Sequence, residues 1–258
     1  TRDDVDCTQE GLGADDEFTF ASAHFVVDGT LGDVCLGDAD DRLTQAWDAL
    51  ATIAPPGQLG DLGVFTSFAA SEEGDEVTLA FVQPLDADGT LFQMSVNLDE
   101  FEADPQEALL TMAHEFSHVF TAIPSQTDRT VEAVDDCETY SNGESCFFED
   151  SLVNQWVDAF WVGYIDDFDP TVESTGAEGE ERCAIDAGFL GSYAASSPEE
   201  DFAETFSAYV FDVPAATPEQ QERIDWMADQ PGLAEFRERA EAAGLTPVRN
   251  GFEVCGAS

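Results

Sequence analysis

Residues 114–118 read His-Glu-Phe-Ser-His, and His114 and His118 are two of only three histidines in a chain of 258 residues. On a helix, side chains four apart lie one above the other, so both imidazoles reach a single metal ion. Glu115 then projects beside them, placed to take a proton from an attacking water. This is the ligand spacing of a zinc hydrolase, and it requires a helix. The surroundings supply one: Asp104 serves as N-cap, Pro105 fits the first helical position, and Glu107 follows the cap by three. Leu109, Met112, Ala113, Phe116, Val119 and Phe120 recur at helical spacing until Pro124 ends the run. Burying two imidazoles and a carboxylate on so apolar a helix without a metal would be costly.

Two histidines do not complete a catalytic zinc site, which usually takes three protein ligands and leaves a position open. The extended metzincin pattern would place glycine at 121 and histidine at 124; Thr121 and Pro124 stand there, and no histidine follows His118. A carboxylate is therefore the natural third ligand. In the stretch 192–206, Glu200 and Glu204 share a helix face, so one can bind the metal while the other accepts the free ring N–H of a ligating histidine. The same residues have a plainer reading. Ser197-Pro198-Glu199-Glu200 is also a capping box, and glutamates four apart in an acidic chain also make a solvated face. Glu132 with Asp136 offers the same spacing nearer to His118.

With His-Glu-x-x-His followed by Glu-x-x-x-Glu on a later helix, the chain resembles the gluzincin metallopeptidases. Tyr193 and the run Phe202-Ala203-Glu204-Thr205-Phe206 are similar to the catalytic domain of anthrax lethal factor, with a tyrosine seven residues before the ligand glutamate. The resemblance covers the zinc helix and residues 192–206. It implies that Glu200 is the third ligand, that Glu204 holds a ligand histidine, and that Tyr193 sets a hydroxyl over the site. The implied activity is that of a zinc endopeptidase, with Glu115 as general base and Tyr193 donating to the oxyanion. A non-catalytic zinc-stabilised binding module, or a zinc hydrolase of a non-peptide amide or ester, uses the same residues differently. His24, in a strand without a partner motif, reads as structural.

Charge narrows the partners. Fifty-six Asp and Glu oppose eight Arg, with no lysine, for a formal net charge of −48. Such a surface repels nucleic-acid phosphates and anionic membranes, which leaves a protein or peptide substrate and a monomer as the expectation. Absence of lysine with so much acid suggests adaptation to high salt, where screening makes dense like charge tolerable. Bound Ca2+ is the other explanation, with Asp86-Ala87-Asp88-Gly89 as its candidate loop, although that segment also reads as a hairpin turn. Six cysteines at long spacings, without a Cys-x-x-Cys pair, fit disulfides and an oxidising, extracellular location. We expect Cys7 to pair with Cys35 and the others to staple the segment after the zinc helix. With no apolar leader ahead of Thr1, the chain reads as a mature secreted protein.

The elements that must position these residues divide the chain near residue 123. Strand signals cover 18–27, 63–68, 77–83 and 91–98, and a helix covers 41–53 with Leu43, Ala46, Trp47 and Leu50 on one face. Periodicity alone says α+β; the order of elements is that of a zincin-like upper lobe, a twisted mixed sheet with a backing helix and the active-site helix. Residues 124–258 read as a mainly helical lobe that supplies the third ligand, forming one catalytic unit with a cleft between lobes. Loops are expected at 124–140 and 168–181, and helices at 149–165, from Ser197 to Phe211, after Thr217 and after Asp229. The aromatic face of 149–165 reads as core. Residues 91–98 are expected at the sheet edge, where an extended peptide would add as a further strand.

Overall fold

The computed structural model describes residues 5–15, 18–70, 78–131, 133–172, 176–246 and 254–256. Its backbone falls into two units, Thr1–Phe120 and Thr121–Ser258. Together they hold an α+β chain with a mixed sheet and eight α-helices among the described residues.

The first unit is built on five strands: β1 (Phe18–Val27), β2 (Thr30–Gly37), β3 (Leu62–Ala70), β4 (Ala80–Pro84) and β5 (Phe92–Asn97). Their order is β2-β1-β3-β5-β4, with β3 and β5 parallel and every other pair antiparallel. β2 escaped the sequence reading because its exposure shows no strict alternation. Asp28, at a φ of 50°, and Gly29, at 70°, make the tight turn that folds it back on β1.

Alternation along β3 serves both faces of the sheet. On one face Phe65 meets Trp47 of α1 (Asp41–Ile53) edge to face, with ring centroids 5.4 Å apart. On the other, Val64 and Phe68 join Leu12, Phe20 and Ala23 in a buried cluster. Residues 91–98 do not form an edge. The turn at Asp86–Gly89 folds β4 back along β5, pairing Pro84 with Phe92 through Ala80 with Val96, so β4 takes the outer position.

α2 (Leu98–Ala103) was not anticipated; Asn97 caps it, its side chain accepting from Asp99 N and Glu100 N. α3 (Pro105–Thr121) follows, with Asp104 Oδ1 accepting from Gln106 N at 3.1 Å and Glu107 N at 3.2 Å, the cap its sequence implied.

The second unit holds a short pair, β6 (Thr127–Asp128) with β7 (Cys146–Phe147), and the remaining helices. The helix expected over 149–165 is α4 (Leu152–Trp156), continued by a π-helical turn, Val157–Trp161. Part of the loop expected at 168–181 is instead α5 (Gly176–Ile185). Its acid- and glycine-rich sequence hides it, and tertiary contacts hold it. Arg182 donates from Nε to Ala195 O at 2.7 Å and from Nη2 to Ser196 O at 3.0 Å, and Cys183 is bonded to Cys255. Gly179 must be glycine here, because a Cβ would collide with the Ser192 carbonyl oxygen.

α6 (Pro198–Val210), α7 (Pro218–Ala228) and α8 (Ala234–Ala242) complete the unit, the first two capped by Ser197 and Thr217. Disulfides join Cys7 to Cys35, Cys137 to Cys146 and Cys183 to Cys255, the first as expected and the other two both after α3. Among the described residues, no helix is long and apolar enough to cross a membrane.

Candidate metal centre

α3 carries the two histidines as the sequence spacing requires. Their Nε2 atoms lie 3.2 Å apart and their ring centroids 5.0 Å apart, with His114 buried and His118 half-buried. At this distance one ring can donate an N–H to the other, and with neither Nε2 protonated both lone pairs can face one shared cation. Glu115, between them in sequence, is half-buried.

The first turn of α6 presents Glu199, Glu200 and Asp201, three acids where the exposed N–H groups of the helix favour negative charge. Ser197 Oγ accepts from Glu200 N at 3.2 Å, so the capping role of this motif is real and involves the backbone of Glu200. Its carboxylate has another relation. One ligand atom each of His114, His118 and Glu200 lie within 4.8 Å of one another, the group of metal-ligating type found among the described residues. Two imidazoles and one carboxylate are a donor set that suits zinc.

Neighbouring acids on α6 are spoken for. Glu199 Oε2 accepts from Tyr140 Oη at 2.9 Å, and burial, then the Glu199 charge, push the Tyr140 hydroxyl well above its ordinary pKa. Asp201 is fully buried, and its Oδ2 accepts from Trp156 Nε1 and Trp161 Nε1, each at 2.9 Å, and from Arg223 Nη1. Five residues of regular α-helix would turn two side chains apart by well over 90°. The π-helical turn between Trp156 and Trp161 brings both indoles to one carboxylate oxygen. Arg223 is held further by Asp186 at 3.4 Å and lies 4.3 Å over the Phe189 ring.

Asp201, Trp156, Trp161, Arg223 and Tyr140 thus surround the start of α6; the two tryptophans belong to the aromatic face expected as core and are fully buried, whereas Asp201, Arg223 and Tyr140 carry no sequence signal that singles them out. In a chain with 56 acidic residues, only burial distinguishes this aspartate from the rest.

Other expected residues sit as follows. Glu204 is half-buried one turn after Glu200 on α6. Tyr193 is 59% exposed, immediately before a short 3-10 turn over Ala194–Ser196. Glu132 lies outside the described residues, and Asp136 is exposed at the end of a 3-10 turn. His24 is buried and its Nδ1 lies 2.9 Å from Gly32 O, a structural hydrogen bond across β1 and β2. Asp86 Oδ1 accepts from Thr90 N at 2.9 Å within the β4–β5 turn, so the candidate calcium loop acts as a hairpin turn and calcium gains no support.

Residues 66–243 match the model of a family described as "Putative zinc-binding metallo-peptidase", and the chain belongs to that family. No protein of curated function matches it. Among solved structures, the chain is similar to one described as "a putative zinc-binding metallo-peptidase from Bacteroides caccae". The two are 15% identical over 80% of this chain and 72% of that one, with a TM-score of 0.31, too low for any argument to rest on.

Proposed function

We propose that the protein is a secreted zinc endopeptidase of gluzincin type with a zincin-like fold, whose metal is held by His114, His118 and Glu200. The observation that carries this reading is the grouping of one ligand atom from each of these residues within 4.8 Å. Membership of a zinc-binding metallopeptidase family supports it independently. Three disulfides fit an oxidising, extracellular compartment.

Zinc bound there supplies Lewis-acid polarisation of the scissile carbonyl and makes water acidic near neutral pH. Glu115 takes the proton of the attacking water and passes it to the leaving amine, so its carboxylate is the base and then the acid of one turnover. Tyr193, exposed and ahead of α6, donates a hydrogen bond to the oxyanion of the tetrahedral intermediate. Glu204 accepts the free ring N–H of a ligand histidine and keeps its tautomer fixed.

Glu115→Gln tests the mechanism, because it keeps shape while removing the base. We expect this variant to retain about one zinc per chain, as intact ligands require, and to lose peptide cleavage. Full activity with zinc retained would overturn the assignment. Cleavage of a peptide library by the wild type should stop on chelation and return with added zinc.

A further inference from the structure

The first turn of α6 carries three acids in a row, and the middle one is the candidate metal ligand. At about 100° per residue, Glu199 and Asp201 leave the helix about 200° apart, on nearly opposite sides, with Glu200 between them. Each flank is tied to a different part of the second unit.

On one side, Tyr140 Oη donates to the Glu199 carboxylate. The tyrosine is itself fixed: the Cys137–Cys146 disulfide brackets it, its N–H donates to Asn154 Oδ1 of α4 at 3.0 Å, and its ring stacks on Phe147 with centroids 5.5 Å apart. On the other side, Asp201 Oδ2 accepts both indole N–H groups, from α4 and its π-helical turn, together with Arg223 Nη1 from α7. Both partners of that ion pair are buried, so water does not compete for it.

The rotation of α6 about its axis decides where Glu200 points. A carboxylate lies about 5–6 Å from the helix axis, so a turn of about 20° carries it about 2 Å. A metal site tolerates only about 0.2–0.5 Å. Two contacts on opposite sides of the helix hold that angle.

We propose that Tyr140 and the Asp201–Arg223 pair are positioning residues of the metal site, which lock the rotation of α6 so that Glu200, and neither flanking acid, is presented to the metal. The inference rests on the zinc-ligand reading of Glu200. Stability alone does not call for this arrangement, since apolar residues of similar volume commonly serve a fold as well as a buried ion pair. What an apolar pair does not supply is a directional contact one residue from a ligand.

Zinc dissociation constants of the full chain, measured by competition with a chromophoric chelator, test the lock. Tyr140→Phe keeps the ring and removes the hydroxyl, while Asp201→Leu with Arg223→Met removes the ion pair without stranding a buried charge. We expect each variant to unfold cooperatively in urea, as a folded protein does, yet to bind zinc about tenfold or more weakly than wild type. Adding Tyr140→Phe to Glu200→Ala should change affinity by less than about twofold, because the lock acts only through Glu200. Wild-type affinity in Tyr140→Phe or in the folded double variant overturns the lock, as does an equal loss from Tyr140→Phe with and without Glu200. Should the double variant not fold, Tyr140→Phe decides alone. Unchanged affinity in Glu200→Ala itself marks a different failure: the ligand reading falls, and the lock with it.

Discussion

At the scale of single residues, the chain separates groups that could hold a metal from a group that holds the helix presenting one of them. Asp201 follows Glu200 directly, yet it faces a buried guanidinium and two indoles. Removing one partner of a buried ion pair leaves an uncompensated charge, so Asp201→Ala should destabilise the protein by about 3–5 kcal/mol. Replacing Asp201 and Arg223 together by apolar residues should cost much less, and a double-mutant cycle in urea unfolding measures the difference. Zinc titration separates the two candidate ligands. Glu200→Ala should weaken zinc binding by more than the roughly 10–100-fold typical of a ligand's hydrogen-bonding neighbours, Glu204→Ala should fall within that range, and Glu132→Ala should leave affinity unchanged.

At the scale of elements, capping motifs were the most legible signals. Asp104 with Pro105, Ser197 with Pro198 and Thr217 with Pro218 each begin the helix that their sequence announces, because a cap acts within four residues. α1 behaves likewise: Asp40 accepts from Arg42 N at 2.8 Å, and the Arg42 side chain, above all, holds its carboxyl below the usual carboxylate range. A depressed carboxylate stabilises the fold above its unfolded pKa of about 3.9 and loses that contribution as pH falls through the folded value. Asp40→Ala should therefore cost about 1 kcal/mol near neutral pH, and the difference from wild type should shrink below pH ~4 in denaturant melts. Elements held by distant partners were not legible. α5 rests on Arg182 contacts and a disulfide 72 residues long, and the π-helical turn of α4 is justified only by the carboxylate it serves. The outer place of β4 depends on how a hairpin folds, which alternation in either strand does not state.

At the scale of the whole molecule, a net charge of −48 is the dominant fact. Raising ionic strength from about 0.1 to 1 M shortens the screening length from ~10 to ~3 Å, which relieves like-charge repulsion among 56 carboxylates. The thermal midpoint should rise over that range; a fall would contradict adaptation to high salt.

What sequence alone determined was whatever depends on short spacing. The two histidines one turn apart, the helix caps and most strands follow from local geometry, which neighbours in the chain dictate. Tertiary structure decided the matters that need distant residues. It sets Glu200 within 4.8 Å of two histidines some eighty residues earlier. It also makes one aspartate among many acids an anchor, because burial in a site of low dielectric, not residue type, is what makes a carboxylate depend on its partners.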